Sequence, residues 1–168
     1  GANTTGSQNT ALGATTLDAN TTGENNTALG WSALTASTEG SGNTAVGSVS
    51  LFVNTTGARN VAVGQEALRY NTTASNNTAV GFQSLYVNTT GTENVATGKG
   101  ALQSNTTGSY NHAFGVNAGY SITTGSTNIA IGNAALSTAT TASGNTAVGH
   151  GVVGANASGS SIVGVGAN

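Results

Sequence analysis

Along the chain, short apolar di- and tripeptides alternate with polar, glycine-punctuated segments at one fixed interval. A tetrad Asn-Thr-Ala-Val, or a variant of it, precedes Gly13, Gly30, Gly47, Gly64, Gly81, Gly98, Gly115, Gly132, Gly149 and Gly166, and every interval is 17 residues. The unit reads approximately N-T-A-V-G-x-x-A-L-x-x-N-T-T-G-x-x, with no insertion or deletion between Asn3 and Gly166. Such spacing predicts a solenoid with one coil per unit, because an insertion would break the stacking of every column.

The choice between helix and strand follows from residue type. Apolar runs are only two or three residues long, and they sit among Gly, Thr and Asn, so helix propensity is poor throughout. The pattern predicts T-A-V as one strand and A-L-x-x as a second, joined by turns at G-x-x and N-T-T-G-x-x. Glycine after the strand and glycine after N-T-T are expected to supply positive φ. The predicted fold class is all-β, a parallel β-roll or β-solenoid of about ten coils. Stacked ~4.8 Å apart, they make a rod roughly 45 Å long.

Alternate strand residues point to opposite faces, and a coil has a single interior. The bulky Val46, Val63, Val80 and Val148, with Leu17, Leu34, Leu51, Leu68, Leu85, Leu102 and Leu136, are expected to fill it. That assignment leaves two Ala-rich stripes outside, Ala28, Ala45, Ala62, Ala79, Ala96, Ala113, Ala130 and Ala147 in one and Ala33, Ala67, Ala101, Ala118 and Ala135 in the other, whose small size lets another chain approach closely. Side-by-side packing as a homotrimer is the simplest outcome; harmless exposure on a monomeric solenoid is the alternative. Asparagines such as Asn43, Asn60 and Asn77, and Asn54, Asn71 and Asn88, form two further columns expected to bond along the axis as amide ladders. Residues 1–149 read as regular repeats. Residues 150–168 read as an atypical terminal repeat, a cap or transition, since Ile162, Gly164 and Val153 replace the Asn, Ala and Leu columns.

Composition narrows the function. The chain holds 168 residues, 26 of them Gly, with no Pro, Cys or Met, and only three Lys+Arg against five Asp+Glu. That balance supplies no basic footprint for nucleic acid and no polybasic stretch for an anionic membrane. No apolar run approaches the ~18 residues that span a bilayer, so no membrane insertion is expected of this segment. Gly1-Ala2-Asn3 carries no signal-peptide pattern, and the chain reads as a soluble fragment or mature segment. His112 and His150 lie in different columns, and Asp18, Glu24, Glu39, Glu66 and Glu93 are scattered. The expectation is no enzyme, no metal and no cofactor. Gly149-His150-Gly151 and Gly164-Val165-Gly166 belong to the repeat spacing rather than to a phosphate loop.

Three surface features carry candidate chemistry. Phe52, Tyr86 and Tyr120 fall 34 residues apart in one column, and Trp31 and Phe82 share another, so these five are candidate carbohydrate contacts; covering turns or chain contacts is the alternative. Candidate N-glycosylation sequons begin at Asn3, Asn20, Asn25, Asn54, Asn71, Asn76, Asn88, Asn105 and Asn156, largely because the repeat spells N-T-T. Threonine columns such as Thr21, Thr38, Thr55, Thr72, Thr89, Thr106, Thr123 and Thr140 raise ice binding as a lesser reading, weakened because adjacent threonines point to opposite faces.

Units such as Gly42-Asn43-Thr44-Ala45-Val46-Gly47 and Thr127-Asn128-Ile129-Ala130-Ile131-Gly132 resemble the head repeats of YadA-like trimeric autotransporter adhesins, and are also similar to repeats in bacteriophage tail fibres. The resemblance covers the whole chain through the S/N-x-A-[VI]-G core. It implies a trimer of left-handed parallel β-rolls on a cell or virion surface that attaches to host proteins or cells. The 17-residue unit is longer than that family's, and no coiled-coil stalk or membrane anchor is present in the sequence. The expected function is thus a structural and adhesive rod of an extracellular fibre, whose partners are itself and a host surface protein or carbohydrate. An end-to-end, glycosylated filament subunit is the alternative.

Overall fold

A computed structural model describes residues 3–154 and 158–167. Ten three-residue strands form one sheet: β1 (Thr10–Leu12), β2 (Thr27–Leu29), β3 (Thr44–Val46), β4 (Val61–Val63), β5 (Thr78–Val80), β6 (Val95–Thr97), β7 (His112–Phe114), β8 (Ile129–Ile131), β9 (Thr146–Val148) and β10 (Val163–Val165). Their order in the sheet is their order in the chain, and all pairs are parallel. Ala45 pairs with Ala62, and Ala62 with Ala79, so each partner lies one 17-residue unit on. The chain is a parallel β-solenoid of about nine turns, and among the described residues it contains no helix.

Only T-A-V forms a strand. The A-L-x-x segment, expected as a second one, is a run of turns in which Leu34, Leu51, Leu68, Leu85, Leu102 and Leu136 take φ between 48° and 52°. The segment still bonds from coil to coil: Val49 N–H donates to the Trp31 carbonyl at 2.9 Å and Leu51 N–H to the Ala67 carbonyl at 3.0 Å. A left-handed conformation costs a non-glycine residue ~1 kcal/mol or more, while full burial of a leucine contributes about 2 kcal/mol, so burial wins.

That turn aims leucine inward and reverses the expected facing of the strand. Neither alanine column is an outer stripe: Ala28, Ala45, Ala62, Ala79, Ala96, Ala113, Ala130 and Ala147, like Ala33, Ala67, Ala101, Ala118 and Ala135, are at most 1% exposed and belong to the core with the leucines. The valines expected inside, Val46, Val63, Val80 and Val148, flank them on the outer side and are half-buried. The physical reason is thickness. One wall of the coil already supplies leucine, so the facing strand has room only for alanine.

The two glycine columns do different work. Gly47 has φ of 132°, and a Cβ there would lie 2.6 Å from the Gly64 carbonyl of the next coil. The glycines after N-T-T do not have positive φ, contrary to expectation; a Cβ on Gly91 would instead meet the Gly108 carbonyl oxygen at 2.2 Å. Both columns record how closely successive backbones approach.

Two buried amide ladders run beside these glycines. In the first, Asn77 Nδ2 donates to the Gly91 carbonyl at 2.9 Å, while Asn77 Oδ1 accepts the Asn94 backbone N–H at 3.0 Å. In the second, Asn71 donates to Asn54 Oδ1 at 2.8 Å, Asn88 to Asn71 at 2.9 Å and Asn105 to Asn88 at 2.8 Å. The ladders converge, because Asn88 Nδ2 also donates to the Gly91 carbonyl, at 2.9 Å. Each side chain therefore satisfies backbone groups that the thin coil hides from water.

The second ladder breaks where its residue type changes. Ser37 and Ile122 occupy ladder positions, and the buried Asn20 Oδ1, Ser37 Oγ and Asn105 Oδ1 have no hydrogen-bond partner. Ile122 serves another need. Gly119 stands where the leucine column would continue, and a Cβ placed there lies 3.1 Å from Ile122 Cδ1 and 2.9 Å from Leu102 Cδ2. Ile122 fills the space that the missing leucine would have occupied.

Ser37→Asn should restore the broken link and raise unfolding free energy by about 1 kcal/mol, read from chemical denaturation. Asn77→Ala should lower it by roughly 2–3 kcal/mol by leaving the Asn94 N–H without its acceptor, whereas the exposed Thr73→Ala should change it by less than ~0.5 kcal/mol.

A candidate binding face of aromatic and amide side chains

Titratable groups are spread along the rod. His112, in β7, and His150 are both exposed. Among the described residues no group of three His, Asp or Glu side chains is placed to hold a metal ion. Glu66 makes surface contacts, an ion pair with Arg69 at 2.8 Å and a bond accepted from Gln83 Nε2 at 2.7 Å. Glu24 accepts from Ser7 Oγ at 3.2 Å.

The five candidate aromatic contacts divide into three settings. Phe52 and Tyr86 are half-buried, and the intervening coil places Arg69 between them in the same column. The Arg69 guanidinium sits 5.8 Å from the Phe52 ring centre and 5.3 Å from that of Tyr70, and Tyr70 meets Tyr86 edge-on at 5.1 Å. Cation–π and edge-to-face attraction thus occupy these rings with one another. Desolvation, and then the hydrogen bond and phenol of Tyr70, hold the Tyr86 hydroxyl above its ordinary value, so it stays uncharged at neutral pH. Trp31 stands exposed three coils before Phe82.

Phe82 and Tyr120 are the pair that the fold brings together. They share a surface groove of about 350 Å³ with Gln83, Lys99, Gly100, Gln103 and Asn117. Gln103 Nε2 donates to Gln83 Oε1 at 2.7 Å, so a chain of hydrogen bonds runs from Arg69 through Glu66 and Gln83 to Gln103. The polar members of this groove were not singled out by the sequence pattern. Column alignment could have found Gln103, which lies between Tyr86 and Tyr120 as Arg69 lies between Phe52 and Tyr86.

Burial separates the candidate sequons. Asn20, Asn54, Asn71, Asn88 and Asn105 are fully buried ladder residues, and in the folded coil their amides cannot accept a glycan. Asn3, Asn25 and Asn76 are exposed; Asn156 lies outside the described residues. The repeat spells N-T-T because the ladder needs asparagine, which is why most of the sequons are unusable.

Threonine is likewise engaged. Thr55, Thr72 and Thr89 each donate their hydroxyl to the carbonyl of the threonine one coil on, at 3.1, 3.1 and 3.0 Å. On the strand, outward Thr44 and Thr78 alternate with Val61 and Val95, followed by His112 and Ile129. Neither arrangement offers the unbroken rank of free hydroxyls that the ice-binding reading needs.

The outer strand face is nearly uncharged. Its two columns hold Thr10, Thr27, Thr44, Val61, Thr78, Val95, His112, Ile129, Thr146 and Val163 beside Leu12, Leu29, Val46, Val63, Val80, Thr97, Phe114, Ile131, Val148 and Val165. None of these side chains is buried within the chain. Strand spacing and rise give the face an area on the order of 400 Å².

No protein-family model, no curated protein and no solved structure matches the chain. In a glycosylating host, peptide mass spectrometry of the folded protein should find glycan at Asn25 and Asn76 and none at Asn54, Asn71 or Asn88.

Proposed function

We propose that this chain is a non-enzymatic structural and adhesive rod of an extracellular fibre, the head of a surface adhesin or a segment of a tail fibre, displayed on a cell or virion surface. Its chains associate side by side, most simply as a homotrimer. The observation that carries this reading is the outer face of the ten-stranded sheet, two columns wide and free of Lys, Arg, Asp and Glu. About two thirds of its positions are apolar and the rest are Thr or His, and the largest apolar patch on a monomer, a few hundred Å² in extent, is often functional. The occupants best suited to it are further copies of the same chain, since only partners with the same coil repeat stay in step along its whole length; turned toward a common threefold axis, the face of each copy meets those of the other two.

The chain contact therefore moves from the alanine column to its neighbours. Val63 and Val80, with Thr44 and Thr78, take the place that the alanines held in the sequence-based expectation. Resemblance to YadA-like heads supports the trimer and the attachment role. Attachment to a host protein or carbohydrate belongs to other sides of the coil, where aromatic, amide and charged residues are found.

Val80→Lys tests the interface, because Val80 is half-exposed and the variant can keep its fold. Light scattering with electron microscopy should give three times the chain mass and a short rod for the native sequence, and the single-chain mass for the variant with an unchanged circular dichroism spectrum. A native protein that stays monomeric at high concentration would sink the reading, and long polymers growing along the coil axis would favour the end-to-end filament.

A further inference from the structure

We infer that the groove between Phe82 and Tyr120 binds an acidic saccharide, taking one sugar unit whose carboxylate pairs with Lys99. This deepens the attachment half of the proposed function and rests on it; the assembly half is independent.

The groove exists because one side chain is missing. Gly100 has φ of 65° at a column position where neighbouring coils carry Gln83, at 55°, and Asn117, at 56°. A Cβ on Gly100 would lie 2.6 Å from Asn117 Oδ1 and 3.6 Å from the Tyr120 ring. The backbone here accepts a side chain in other coils, so glycine is not required by conformation. What its absence does is open about 350 Å³ against the two rings.

The lining specifies the occupant. Phe82 and Tyr120 are each about two-fifths exposed, at 40% and 39%, and offer flat apolar surface to the C–H face of a sugar ring. Gln83 is fixed at both ends of its amide, to Glu66 and to Gln103 at 2.7 Å each, which orients Gln103 beside it. Gln103 and Asn117 supply amide donors and acceptors suited to hydroxyls. Lys99 is the one cation of the lining, and no carboxylate lines the groove. Glu66, in the adjoining network, is held by Arg69 at 2.8 Å. A single ammonium among amides and rings fits one carboxylate, with the amides left to bond the neighbouring hydroxyls.

The test is a calorimetric titration of the assembled protein with an α-1,4-linked galacturonate tetramer and, separately, with its fully methyl-esterified form. The acid should bind saturably, and the ester at least ten-fold more weakly. Lys99→Gln should produce the same ten-fold loss for the acid. Gly100→Gln, a substitution matched to Gln83 in the same column, should fill the groove and abolish binding. Light scattering on each variant should give unchanged mass, which separates loss of the groove from loss of the rod. Absence of saturable binding by the native protein, equal affinity for acid and ester, or undiminished binding by Gly100→Gln would each overturn the inference. So would an aspartate-rich peptide that binds as tightly as the saccharide.

Discussion

A coil of 17 residues encloses an interior so thin that the polar groups of its turns have no water within reach, and a buried asparagine must answer for them. One Asn per coil accepts the next coil's backbone N–H and donates to a turn carbonyl, as Asn60 does with Asn77 N–H at 3.0 Å and the Ala74 carbonyl at 2.9 Å. A second Asn donates to the same carbonyl, as Asn71 does at 3.0 Å. Among the described residues the turns are thereby locked without salt bridges in the core. Leaving any of these groups unmatched costs about 1–3 kcal/mol, a large share of a small domain's stability. This constraint explains why polar residues are among the most buried in the molecule and why the unit length never varies.

Everything else adapts to that thin section. Backbones approach so closely that a Cβ on Gly47 or Gly91 would strike the next coil. Leucine from the turns fills the remaining space, leaving the strand only alanine inside. The larger valine, threonine and isoleucine side chains must then face outward. A mostly apolar, uncharged outer sheet is thus a direct consequence of how the core is filled, and in the proposed function it is the surface on which copies of the chain assemble. In the same proposal recognition falls to the sides, where residues differ from coil to coil. Phe82, Lys99, Gly100 and Tyr120 differ from their column neighbours, and they meet in one groove.

Repeat length, parallel stacking and the amide ladders were legible in the sequence, because Asn43, Asn60 and Asn77 at fixed spacing stack one above another as soon as each unit closes a coil. The facing of T-A-V was not. Alternation states that Ala45 and Val46 point to opposite sides, and size suggested that the larger goes inside; the turn conformation of Leu51, invisible to periodicity, decided otherwise. The sequons misled for a related reason, since N-T-T reads alike whether the asparagine is a surface acceptor or a buried ladder rung. Of the groove, the rings were visible as columns, but the amides and Lys99 were not, because their meeting depends on the gap at Gly100.

Amide hydrogen exchange followed by NMR probes the ladders rung by rung. Backbone N–H groups of Asn60, Asn77, Asn94, Asn111 and Asn128, each donated to the side-chain oxygen of the asparagine one coil earlier, should rank among the slowest to exchange. If they instead exchange as fast as the exposed turn residue Thr73, the asparagine ladders do not hold the coils together.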